Sequence, residues 1–211
     1  MYVEVNDYSK TIKGVDVLKD INVVFKSGIV YGLKGKNGSG KTMLMRAICG
    51  LIKPTKGSVV IDGKTLGKDM SFPDSVGVLI ENPSFLPGCT GYENLEILAS
   101  IQKKIGRDEI CEAMIAVGLR PEDKRKYRKY SLGMKQKLGI AAAVMEHPDI
   151  IILDEPINAI DEEGVVLVEK ILEHEKKRGA VIIVACHDKE EMERLADEVI
   201  CIEDGKIAEK K

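Results

Sequence analysis

Residues 35 to 42 read Gly35-Lys36-Asn37-Gly38-Ser39-Gly40-Lys41-Thr42, a complete G-x-x-x-x-G-K-[ST] pattern directly after the apolar run Ile29 to Leu33. This pattern suits the binding of a nucleoside triphosphate. Backbone N–H groups can close around phosphate oxygens only where side chains do not intervene, which is the use of glycine at 35, 38 and 40. Lys41 then reaches the outer phosphates and Thr42 offers a hydroxyl to Mg²⁺, while a helix opening near Gly40 turns its positive end to the same anion. Taken alone, the same residues also describe a glycine-rich turn between a strand and a helix.

Further along, Ile150 to Leu153 run into Asp154 and Glu155. Strand ends are where α/β sheets place ligand chemistry. In a phosphate-loop protein the first acid holds Mg²⁺ through water, the place of Asp154, and Glu155 is positioned to orient or deprotonate attacking water. In isolation the pair reads more readily as an exposed end of a strand; the phosphate loop upstream reverses that preference. His187 follows the run Ala180 to Cys186 and sits at another strand end. Ser131 precedes a helical stretch and reads as its N-cap, as does Asp161 for the next one.

The elements that must position these groups follow from composition and periodicity. With 211 residues, 44% apolar and 31% charged, the chain has ample core for one domain. A net charge of −2 gives no global basic field toward nucleic acid or an anionic membrane. No apolar run approaches the roughly 18 residues a membrane span requires. The start, Met1-Tyr2-Val3-Glu4, lacks the layout of a secretory signal. Five cysteines without a C-x-x-C pair suggest neither disulfides nor zinc; a reducing compartment and buried packing for most of them are expected. The first 30 residues alternate as strands joined by Lys13-Gly14 and Ser27-Gly28, an antiparallel β portion. A helix from Met43 to Leu51 should stop at Lys53-Pro54, and Gly57 to Gly63 should return as a strand by a crossover that extends the sheet. Residues 92–144 read as helical with breaks at Gly106, Gly118 to Pro121 and Tyr130. Three β-branched runs near 150–154, 180–185 and 199–202, separated by helices at 161–178 and 188–196, predict a parallel sheet. The expected fold is α/β: a P-loop NTPase core on a parallel sheet, an N-terminal antiparallel β portion, and a helical subdomain inserted at about 88–146 of a single domain, 1–211.

Between the phosphate loop and the acids lies Tyr130-Ser-Leu-Gly-Met-Lys-Gln-Lys137. With this segment in place the chain resembles the nucleotide-binding subunit of ABC transporters. The family's ordered motifs match here at 35–42, at 81, at 130–134, at 154–155, at 161 and at 187, and the resemblance covers essentially the whole chain. It implies an ATPase that uses ATP and Mg²⁺, with Thr42, Asp154 and Glu81 on the metal side. Glu155 would act as base, and Glu81 and His187 would sense the γ-phosphate. It further implies a head-to-tail pairing with a second nucleotide-binding subunit, expected to be a second copy. There Ser131, Leu132 and Gly133 of one subunit cap the γ-phosphate on the other, with Asp161 communicating across the dimer. The implied partner is a separate transmembrane permease, and the implied place is peripheral on the cytoplasmic face of the membrane.

Three positions depart from the family pattern. Glu81 stands where glutamine is usual, adding charge and losing an amide donor. With the Ser-Leu-Gly-Met signature, it resembles transporters of bacitracin-like and lantibiotic-like peptides; a neutral variant in an ordinary exporter is the alternative. Leu132 and Met134 replace glycine and glutamine of the signature and are expected to pack locally. Ile12 stands at the usual place of an aromatic residue that stacks on adenine, which predicts weak discrimination between ATP and GTP; Tyr8 is the one candidate to substitute.

Eight basic residues between Arg120 and Lys137 invite a nucleic-acid reading, but aromatics to stack bases are sparse. A solvated helix face is expected instead, with no nucleic-acid partner. Phe85, Leu86 and Pro87 form a candidate exposed apolar patch of the kind that needs a partner, and in the family this region receives a cytoplasmic helix of the permease. The rival to an exporter subunit is a soluble ABC-type ATPase, for example in iron–sulfur assembly.

Overall fold

A computed structural model describes residues 1–210. Strands β1 (Tyr2–Ile12) and β2 (Val15–Lys26) form a long hairpin about Lys13-Gly14, both with left-handed backbones that suit a two-residue turn. Strand β3 (Ile29–Lys34) leads to helix α1 (Lys41–Ile48). The chain then makes β4 (Lys56–Ile61), the two-residue β5 (Lys64–Thr65) and β6 (Val76–Leu79). A helical segment follows: α2 (Gly91–Gln102), α3 (Arg107–Ala116), a 3₁₀ turn (Tyr127–Lys129) and α4 (Leu132–Val144). The chain closes with β7 (Ile150–Asp154), α5 (Glu162–Arg178), β8 (Val181–Cys186), α6 (Lys189–Leu195), β9 (Glu198–Glu203) and β10 (Lys206–Lys210).

Two sheets result. One is antiparallel in the order β2-β1-β4-β5; the other is β10-β9-β3-β8-β7-β6, parallel except for the β9–β10 pair. The crossover from α1 to β4 therefore does not extend the parallel sheet: β4 pairs with β1, Val5 opposite Val59, in the antiparallel one. Helix α1 ends three residues before Leu51, and Gly50 follows it in a left-handed conformation.

Strands β7 and β8 are buried along their whole length. Alternate residues serve two cores: Ile151, Leu153, Ile182 and Val184 face α2 to α5, while Ile150, Ile152, Val181 and Ile183 face α1 and the antiparallel sheet. With apolar layers on both sides, the parallel sheet is fixed, and its strand ends become a rigid edge on which to mount side chains.

Of the five free cysteines, Cys49 and Cys186 are buried and the other three half-buried, so burial holds for two rather than most. The basic stretch 120–137 is not a helix face either. It lies mainly in the loop and 3₁₀ turn before α4, where Arg120 pairs with Glu122, Arg125 with Asp123 and Lys126 with Glu93. In the apolar patch, Phe85 is half-buried with its ring edge-on to Tyr127 (centroids 5.3 Å apart), leaving Leu86 and Pro87 exposed.

Candidate active site

The phosphate-loop helix opens without a side-chain cap. Its N-cap is Gly40, at φ 114°, a conformation that side-chain-bearing residues rarely adopt, and among the described residues no side chain bonds the first-turn N–H groups. Those donors are left to face a ligand. Lys41 is buried, 6% exposed, and its Nζ donates to the carbonyl oxygens of Gly35 (2.7 Å) and Lys36 (3.3 Å), so the loop curls around its ammonium. Ser39 is buried with its Oγ unpartnered among the described residues. A buried orphan hydroxyl inside a ring of backbone donors fits a polar, oxygen-rich ligand. Beside the loop an open cavity of about 710 Å³ extends past His187 to Cys201–Asp204 at the end of β9.

Across the sheet edge, Thr42 Oγ1 donates to Asp154 Oδ2 at 2.8 Å. Asp154 is 8% exposed, and its carboxyl is held above the usual carboxylate range, chiefly by burial. The Thr42 hydrogen bond opposes that shift, the negative charges of Glu155 and Glu81 add to it, and Lys41 opposes it. A carboxylate so disfavoured as an isolated anion, paired with a hydroxyl, matches the hard oxygen donors a Mg²⁺ ion accepts beside phosphates.

Glu155 adopts a left-handed backbone, φ 51°. Its N–H donates to Ala185 O at 2.8 Å and its carbonyl accepts from Gln136 Nε2 at 2.8 Å, so strand β8 and helix α4 over-determine that conformation. The carboxylate Oε2 lies 2.8 Å from His187 Nδ1, and this contact raises the His187 pKa above its ordinary value. Glu81, just beyond β6, is also left-handed at φ 61°; its Oε1 accepts from Arg46 Nη2 at 2.6 Å. Lys41, Thr42, Glu81, Asp154, Glu155 and His187 thus gather on one edge of the parallel sheet, at or just past the ends of β3, β6, β7 and β8.

The residues 131–133 sit elsewhere. Ser131 caps α4, its Oγ accepting from Met134 N at 3.2 Å, and among the described residues no hydrogen bond joins this turn to the phosphate loop. Leu132 does not pack locally as expected: it is 61% exposed, whereas Met134 does pack against the core. A Cβ on Gly133 would lie 2.6 Å from Ala159 O, so only glycine permits this turn to press on the loop before α5. That loop ends in Asp161, which caps α5 through Gly164 N (3.2 Å) and accepts from Lys137 Nζ (2.9 Å), the contact that holds its pKa low.

Sequence reasoning missed two polar residues. Gln136 is 7% exposed and binds the carbonyl oxygens of Glu155 and, more weakly, Pro156. It gave no signal in the sequence, standing between Lys135 and Lys137 at the polar start of α4. Arg46 gave no signal beyond its place one turn after Thr42. Tyr8 cannot hold a base: it is 1% exposed, donates its hydroxyl to Ile52 O, and burial pushes its pKa to about 12. Ile12, 38% exposed at the end of β1, remains the apolar surface there.

The family model for ABC transporters matches residues 18–158. The chain belongs to the ABC transporter family. It is 49% identical to the ABC transporter ATP-binding protein YybJ of Bacillus subtilis (strain 168), over 97% of this chain and 94% of that one. It is 36% identical to the bacitracin transport ATP-binding protein BcrA of Enterococcus faecalis (98% and 68% covered) and 32% to the lantibiotic transport ATP-binding protein SrtF of Streptococcus pyogenes (97% and 88%). Its fold superposes on the dimeric bacterial ABC transporter cassette MJ0796 with a TM-score of 0.88 at 25% identity, covering 99% of this chain and 97% of that one. This ABC chain is an ATP-binding, ATP-hydrolysing subunit of a transporter, and among the described residues no helix is long and apolar enough to cross a membrane.

Proposed function

We propose that this subunit binds Mg·ATP on the sheet edge described above and drives a separate transmembrane permease that exports peptide antibiotics or similar compounds. The observation that carries the ATPase reading is Glu155: its backbone is pinned by β8 and Gln136, and its carboxylate rests on His187, beside the Thr42–Asp154 pair. Lys41 and the N–H groups of residues 35–42 would hold the phosphates; Thr42 and Asp154 would hold Mg²⁺, with Glu81 reaching it through water. The ion, when bound, would offset negative charge on the phosphates. Glu155 would orient and deprotonate water, and His187 would hold that carboxylate and donate to the γ-phosphate. Names borne by the BcrA and SrtF relatives support the peptide-antibiotic class. The single domain 1–211, with 88–146 as its helical part, would lie on the cytoplasmic face of the membrane and pair with a second copy, placing Ser131, Leu132 and Gly133 over the partner's nucleotide and Asp161 at the interface. The exposed Leu86 and Pro87 would meet the permease. The soluble alternative has no support in the relatives reported above, which are named as transport proteins or transporter subunits.

The test is Glu155→Gln beside wild type in Mg·ATP without membrane. Turnover should fall about 10²-fold or more, the usual contribution of a positioned base, and the variant should accumulate as an ATP-bound dimer. A variant that hydrolyses at the wild-type rate and stays monomeric contradicts the assignment.

A further inference from the structure

Arg46 lies on α1 one helical turn beyond Thr42, which brings it to the face that carries the metal-side hydroxyl. Its guanidinium donates to Glu81 Oε1 at 2.6 Å, and Glu81 has no other side-chain partner among the described residues. The pair is partly open to water, with side-chain exposures of 34% and 62%. This edge gathers carboxylates, among them Glu81, Asp154 and Glu155, and must still accept a polyanion. Lys41 is directed to the loop carbonyls and His187 to Glu155, and among the described residues the cation paired with Glu81 is Arg46. A glutamine at position 81 would bring no charge and would need no such partner.

We infer that Arg46 is a positioning residue for the nucleotide site: its guanidinium holds the Glu81 carboxylate toward α1 and neutralises it, so that an acid can occupy this place without repelling the phosphates. The inference rests on the proposed placement of Glu81 beside the metal and phosphates. Its signature is dependence on charge at position 81. A merely structural Arg46 would be missed equally whether residue 81 were acid or amide.

The experiment uses the full chain as wild type, R46Q, E81Q and R46Q/E81Q. It reads the dissociation constant of a fluorescent ATP analogue without divalent metal, the Mn²⁺ affinity of the nucleotide complex by electron paramagnetic resonance, and the melting temperature of the nucleotide-free protein. R46Q should weaken metal-free nucleotide binding about fivefold to tenfold, the order expected of one uncompensated charge at partly screened range. The double variant should return to within about twofold of wild type, a non-additivity that contacting charges produce. The melting temperature of R46Q should stay close to that of wild type, which separates charge compensation from loss of fold. Additive losses, or R46Q binding as wild type does, overturn the role of Arg46. Failure of the underlying reading looks different: E81Q would leave Mn²⁺ affinity unchanged, and the rescue of R46Q by E81Q without metal would still decide the Arg46 inference.

Discussion

The phosphate loop and the turn at Ser131–Gly133 are built on one device, a helix N-terminus opened by small residues, yet they differ in what the fold does with it. At α1 the N-cap is Gly40 with no capping side chain, and the surrounding groups are buried: Ser39 at 6%, Lys41 at 6%, Asp154 at 8% exposed. At α4 the cap is made by Ser131 itself, and the neighbouring Leu132 is 61% exposed. One terminus has its donors free inside a completed cradle. The other has a donor already occupied and stands open on a surface. An anion site needs several converging donors and some exclusion of water; α1 meets both conditions within one chain, and α4 by itself meets neither. The glycine at 133 lets that turn press on the loop before α5, so Ser131 and the Asp161 loop lie side by side.

The sharpest way to break this contrast is a pair of substitutions. Lys41→Ala should weaken ATP binding to a single protomer roughly tenfold to hundredfold, the equivalent of about 1.5–3 kcal/mol for hydrogen bonds to a charged donor. Ser131→Ala should leave protomer affinity within about twofold, cost about 1 kcal/mol of stability through its lost cap, and lower turnover only where two subunits meet. Equilibrium binding at low protein concentration, set beside turnover at high concentration, measures both. If Ser131→Ala weakens single-protomer binding as much as Lys41→Ala does, the two termini are not different in kind.

A smaller effect sharpens the same contrast by asking what links the two regions. Gln136 sits on α4, in the helix that Ser131 opens, and binds the Glu155 carbonyl at the sheet edge. Gln136→Leu would leave that carbonyl without its donor and remove the main tie between α4 and the Glu155 turn. Thermal unfolding should show a loss of about 1–3 kcal/mol, the cost of an unsatisfied buried acceptor. A variant as stable as wild type would mean that the Glu155 backbone is held by β8 alone.

How much of this was legible in the sequence follows the same division. Groups fixed by short-range pattern could be read: residues 35–42 by glycine spacing, Asp154 and Glu155 by the apolar run before them, Ser131 and Asp161 as caps. The helical segment also broke where its glycines and Pro121 stand. What could not be read depends on partners distant in sequence. The pairing of β4 with β1 is decided by a 50-residue separation that local alternation does not encode, and the short strands β5, β6 and β10 carry too little pattern to register. Arg46 and Gln136 look like ordinary helix residues until Glu81 and Glu155 are brought against them. Tyr8 shows the converse: its position near Ile12 suggested a stacking role, and only its burial and its hydrogen bond to the Ile52 carbonyl reveal a core residue.

The smallest expected effect concerns His187 and the sign of its pH dependence. Its pKa is raised in the folded protein, first by the hydrogen bond to Glu155 and then by that carboxylate's charge, so the contact stabilises the fold when the imidazole is protonated. The contribution is therefore fully present below the ordinary histidine value of about 6.5 and is lost as pH rises through the raised folded value. Because His187 is 61% exposed, solvent screening limits it to a few tenths of a kcal/mol, in line with other exposed pairs. His187→Gln should lower the melting temperature of the nucleotide-free protein slightly near pH 6 and leave it equal to wild type near pH 9. The difference between the two proteins, not either curve alone, carries the information, since Asp154 and other acids titrate in both. A difference that grows as pH rises would mean that His187 is held by something other than the Glu155 charge, and would remove the histidine from the edge where Asp154, Glu155 and Lys41 converge.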